Sequence, residues 1–181
     1  MSLNEMAVLA ARVQALEDRS AILETLNEYG QALDYGDVER LVDCFTQDAV
    51  RETRRPDGTV NRWEGAAGTR EFATTHTHAP DKYHKHLVLN STVKLQGDTA
   101  DVVSYMFRFD AAASDKSYVW GMGKYVDRMQ RGADGRWRIA LRVTFIEDDW
   151  PGRSRPATGL VLSGADTCLL YTSPSPRDLS T

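Results

Sequence analysis

Two side chains in this sequence could move a proton together with no help from a metal or cofactor. Asp34 stands in the run Glu28-Tyr-Gly-Gln-Ala-Leu-Asp-Tyr-Gly-Asp37, and His86 in Tyr83-His-Lys-His-Leu-Val-Leu-Asn90. A carboxylate that holds an imidazole orients the ring and stabilises its cation, which suits the histidine to general-base work. His86, with an ordinary pKa of about 6.5, is the expected base and Asp34 its partner. Gly30, one helical turn before Asp34, is expected to leave room above the carboxylate.

Other chemistry-bearing residues compete with this pair. His76-Thr-His78 and His84-Lys-His86 suggest a metal, because H-x-H on a strand turns two imidazoles to one face. A metal centre also needs a third ligand and an outer shell of hydrogen bonds, and nothing in the spacing brings the two pairs together. No metal is expected. Arg108-Phe-Asp110 reads as a surface ion pair at a strand end. Trp63, Phe72, Tyr105, Phe107, Trp120 and Met122 are core candidates from which a cavity wall could be drawn. Arg142 is expected on the outer sheet face, because Trp137, Ile139 and Leu141 alternate away from it.

Helices must position Asp34, and strands His86. Ile22, Leu26, Tyr29 and Leu33 recur at helical spacing, and Leu9, Val13 and Leu16 extend the stripe, so a helix is expected from Asn4 to Asp34. Gly36 is the expected stop and Asp37 the N-cap of a second helix carrying Val38, Leu41, Val42 and Phe45 and ending near Gln47-Asp48. A hairpin follows, turning at Pro56-Asp-Gly58, and then a weaker helix over Ala66–Thr77. From Lys82 the period becomes two, giving strands at Lys82–Leu95, Ala100–Asp110, Tyr118–Gln130 and Arg136–Ile146. Their turns are Gln96-Gly-Asp98, Ala113-Ser-Asp115 and Gly132-Ala-Asp-Gly135. Helices followed by an antiparallel meander indicate an α+β domain, with the helices on one face of a curved antiparallel sheet.

The chain has 181 residues, 41% of them hydrophobic and 27% charged, which suits one globular domain with a real core. A net charge of −4 argues against a nucleic-acid or anionic-membrane partner. No apolar run approaches the roughly 18 residues of a membrane span, and the N-terminus lacks a signal-peptide layout. Cys44 sits on the apolar side of a helix and Cys168 in a segment of different character, so no disulfide is expected and a reducing cytoplasm fits. That segment, Cys168 to Asp178, resembles a translated sequencing adapter. Residues 168–181 are therefore expected to be a non-native tail and residues 151–167 a C-terminal extension, leaving 1–150 as the domain.

The order of elements resembles the NTF2-like superfamily, specifically its SnoaL-like branch. Four segments carry the resemblance: Ala32-Leu-Asp-Tyr-Gly-Asp-Val-Glu-Arg-Leu41, Phe45-Thr-Gln-Asp-Ala-Val50, His86-Leu-Val-Leu-Asn90 and Asp134-Gly-Arg-Trp-Arg-Ile139. It implies a cone-shaped fold with an apolar cavity and, by analogy, a homodimer formed through the sheet. Asp34 and His86 fall where lyase members such as scytalone dehydratase and the bile-acid dehydratases carry an acid–histidine pair. Tyr29 matches the bile-acid dehydratases and joins the candidate substrate-binding residues. Leu33 and Thr53 replace two tyrosines of scytalone dehydratase, and its second histidine falls near Met122.

The resemblance implies a cofactor-free lyase or isomerase acting on a small hydrophobic molecule. Two further readings stay open. One is a ligand-binding module or a dioxygenase small subunit. The other is an epoxide hydrolase built on Arg108 and Asp110, whose second acid falls at Val143.

Overall fold

The computed structural model describes residues 1–111 and 118–149. Three helices precede or interrupt the strands. They are α1 (Leu3–Tyr35), α2 (Val38–Asp43) and α3 (Gly65–Thr74). The strands are β1 (Phe45–Arg54), β2 (Val60–Glu64), β3 (His84–Gln96), β4 (Thr99–Asp110), β5 (Tyr118–Arg131) and β6 (Trp137–Asp149). The expected extension and tail, Cys168 and the Ala113–Asp115 turn lie outside the described residues.

Local chemistry sets the ends of α1. The Ser2 hydroxyl accepts from the Glu5 backbone N–H while the Glu5 carboxylate accepts from that of Ser2, a reciprocal cap. Gly36 closes the helix in the left-handed conformation at φ 71°. A side chain at that position would also run into the His78 ring, 2.6 Å away. Asp37 then caps α2 by accepting from the Arg40 N–H. Ile22, Leu26, Tyr29 and Leu33 are all buried, as the stripe requires. Leu9, Val13 and Leu16 are not: these side chains, on the first half of α1, are exposed.

The sheet is mixed rather than antiparallel throughout. Its order is β2-β1-β6-β5-β4-β3, and β1 runs parallel to β6 while every other pair is antiparallel. β1 begins at Phe45, where the second helix was expected to continue. Leu41 and Phe45 are both buried, so strand and helix compete for the same apolar residues and pairing with β6 wins. The core lies between α1 and the concave sheet face and includes Ile22, Leu26, Tyr29, Phe45, Val102, Met129, Trp137 and Ile139. Asp18 ties α1 to the far end of the sheet by accepting from Trp137 Nε1 and from Arg131.

Irregularities in the ladders decide which side chains reach the concave side. Met129 pairs with Ile139 and Arg128 with Leu141, so Ala140 is an extra residue on β6. That residue reverses the alternation. Arg142, expected to face outward, is fully buried on the inner face. Asp127 of β5 meets it in two 2.7 Å hydrogen bonds, and its guanidinium lies 4.1 Å from the ring centres of both Tyr29 and Tyr125. A similar shift between Arg108 and Phe109 leaves Trp120 as the extra residue of β5.

Candidate active site

Asp34, in the last turn of α1, is 3% exposed. Its carboxylate faces the start of β3, where it accepts the His86 backbone N–H at 3.1 and 3.2 Å and His86 Nδ1 at 2.7 Å. One carboxylate thus fixes the strand's backbone and the ring that grows from it. The helix can come this close because residue 30 is a glycine. A Cβ there would sit 3.1 Å from the His86 carbonyl oxygen. The space above Asp34 is therefore filled by the His86 main chain and is not part of a pocket, contrary to the sequence-based expectation.

With Nδ1–H donated to Asp34, the other ring nitrogen, Nε2, carries the lone pair. His86 lines a cavity of about 370 Å³ whose wall also includes Tyr29, Trp63, Phe72, Trp120 and Tyr125. Burial lowers the pKa of His86 below its ordinary value, and the hydrogen bond it donates to Asp34 opposes this. Burial also draws His76 down to about 3 and His84 to about 4. Each shift favours the uncharged imidazole at neutral pH, the form a resting base needs.

The histidines are closer together than their spacing suggested. The His76 and His86 ring centres are 5.9 Å apart, those of His84 and His86 5.2 Å, and His84 Nε2 lies 3.4 Å from Asp34 Oδ1. Asp34, His84 and His86 present ligand atoms within 4.8 Å of one another, so they could converge on a cation. The shortest contact among them is a hydrogen bond, however. A cation taking both Asp34 Oδ1 and His86 Nδ1 would have to displace that proton.

Of the candidate substrate-binding residues, Tyr29, Trp63, Phe72 and Trp120 line the cavity, while Phe107 and Met122 do not. Parity explains this. Met106 and Arg108 line the cavity, so Phe107 between them turns outward, and Met122 is its cross-strand partner on β5. The cavity is also less apolar than expected, because Arg51, Thr53, Arg55, Asn61, Arg108 and Thr144 share the wall.

Arg108 and Asp110 are not a surface pair. Asp110 is fully buried and takes two hydrogen bonds from Arg108, 2.6 and 3.1 Å long, with Lys82 Nζ at 2.9 Å. Among the described residues lining the cavity there is no aspartate or glutamate to serve as the second acid of an epoxide-hydrolase site. Sequence reasoning did not single out Arg51 or Tyr125. The available signal for Arg51 was the inward alternation Ala49, Arg51, Thr53 on β1.

A SnoaL-like domain profile matches residues 14–143. No curated protein matches the sequence. An NTF2-like protein with a cystatin-like fold from Novosphingobium aromaticivorans is 24% identical, with a TM-score of 0.71, covering 93% of this chain and 99% of that one. A Mycobacterium tuberculosis protein of unknown function is 28% identical, with a TM-score of 0.63 and coverages of 83% and 87%. A candidate scytalone dehydratase from N. aromaticivorans is 18% identical, with a TM-score of 0.59 and coverages of 77% and 91%. These likenesses agree with the helix-then-sheet architecture and with the extent of the profile match. The chain belongs to the SnoaL-like domain family.

Proposed function

We propose that the protein is a lyase or isomerase in which His86 is the general base and Asp34 its positioning partner. The observation that carries this reading is the 2.7 Å hydrogen bond from His86 Nδ1 to a buried carboxylate, on a ring that lines a cavity. Nε2 takes a proton from a carbon next to a carbonyl, and the C–H electrons become a C=C bond. In an elimination the neighbouring C–O bond breaks, and the imidazolium returns its proton to the departing oxygen. In an isomerisation the proton goes back to another carbon. Asp34 holds the ring cation in either case.

The substrate oxygen would meet Tyr29. That phenol accepts from Arg51 Nη2 at 2.6 Å, and a hydroxyl that accepts from a cation becomes a stronger donor. Tyr125 beside it stays protonated, because burial raises its pKa well above the ordinary value.

A panel of small carbonyl compounds bearing a β-hydroxyl or a movable double bond tests the reading, with deuterium wash-in from D2O as the readout. Exchange should depend on His86. It should rise through a midpoint below pH 6.5 and stay level through neutrality, because the base works unprotonated and burial lowers its pKa. EDTA should have no effect. Abolition by EDTA would move the chemistry to a cation held by Asp34, His84 and His86.

We also propose a homodimer formed through the outer sheet face. Leu87, Leu89, Tyr105 and Met122 are 38–54% exposed there, beside Phe107. Sedimentation should give twice the monomer mass, and Met122→Arg with Tyr105→Glu should give the monomer. A wild-type monomer at high micromolar concentration would refute this.

A further inference from the structure

The inner face of the sheet carries three arginines whose charges are handled differently. Arg142 is matched by Asp127 and Arg108 by Asp110, each through two hydrogen bonds to a fully buried carboxylate. Arg51 has no such carboxylate. It is 3% exposed, its Nη2 donates to the Tyr29 hydroxyl, and its guanidinium carbon sits 3.4 Å from the Phe72 ring centre. Its Nε and Nη1 have no hydrogen-bond partner among the described residues, and the side chain lines the cavity. Leaving a buried cation half satisfied costs folding energy, and two matched arginines beside it show that this fold can supply the missing acid.

The rest of the wall points the same way. Arg55 and Arg108 also line the cavity, and no acid among the described residues does. Among the described residues the formally charged lining groups are all arginines, and with Arg108 already matched by Asp110 the uncompensated charge of Arg51 against low-dielectric walls attracts an anion. Trp63, Phe72, Trp120, Met106 and Ile146 supply apolar surface around it. The ligand that satisfies both features is a small organic acid with one carboxylate and an apolar body.

We infer that Arg51 is the anchor of a carboxylate subsite, and that the cavity takes an amphipathic carboxylic acid. The inference deepens the proposed function by naming the substrate class, and it rests on that reading only in placing the substrate in the same cavity. The carboxylate accepts from an unpartnered N–H of Arg51, and the apolar body extends along the aromatic wall towards His86. The carboxylate is held and takes no part in the bond changes.

The test uses 2-naphthoate and its uncharged isostere 2-naphthamide, titrated calorimetrically into the wild-type protein. The acid should bind at least about tenfold more tightly than the amide, the difference that a hydrogen-bonded charge typically makes. The preference should shrink as salt is raised. Arg51→Met should bring the two ligands to within about threefold, and Arg51→Lys should keep part of the preference. His86→Ala should keep all of it. A failed base reading therefore shows in turnover, and a failed anchor reading in this affinity ratio. Should Arg51→Met fold poorly, the wild-type ratio, its salt dependence and Arg51→Lys decide the matter. Equal binding of acid and amide, no binding of the acid at millimolar concentration, or a preference that survives in Arg51→Met would overturn the proposal.

Discussion

Replacing His86 by alanine should lower kcat on a turned-over substrate by about 10²–10⁴-fold, the usual contribution of a positioned general base. KM should change little, because the cavity wall that holds the substrate keeps its other residues. Asp34→Asn should cost a comparable factor. Its side-chain amide can present an N–H where the carboxylate accepted, which favours the ring flip or tautomer that removes the lone pair from Nε2. Because the two residues act as one unit, the double variant should be scarcely worse than either single one. Multiplicative losses would mean that the residues act separately, and full activity in His86→Ala would end the base reading.

The second large effect is on stability. Asp127→Ala leaves the Arg142 guanidinium fully buried with its carboxylate removed, between two tyrosine rings. Breaking a buried pair on one side typically costs about 3–5 kcal/mol. For a domain of this size that lowers Tm by on the order of 10 °C in a calorimetric melt. Removing both charges, with Asp127→Leu and Arg142→Met, should recover most of the loss, because a well-packed apolar pair replaces an ion pair at little cost. An unchanged Tm in Asp127→Ala would show that Arg142 finds solvent or another partner.

Asp34 and His86 were legible because each belongs to an element with a clean period. The helix places Asp34 through the Ile22-to-Leu33 stripe, and the strand carries His86 in alternation. Where the period breaks, legibility fails. Ala140 inserts into β6 and turns Arg142 inward, and no residue type at that site announces a bulge. Aromatic character alone points Phe107 to the cavity wall, whereas Arg108 beside it on β4 lines the cavity and turns Phe107 the opposite way.

Long-range pairing is the other blind spot. That β1 lies parallel to β6 depends on how the chain closes in space, and it alone brings Arg51 opposite Arg142. The proximity of His76 to His86 likewise follows from α3 folding back over the cavity. Spacing along the chain contains neither fact.

The proposed base reaction requires one tautomer of His86. Nitrogen-15 NMR of the His86 ring at pH 7 measures it without any substrate. The expected result is a neutral imidazole with the proton on Nδ1, a bare Nε2, and a titration midpoint below pH 6.5. A ring protonated on Nε2, or an imidazolium at pH 7, would contradict it.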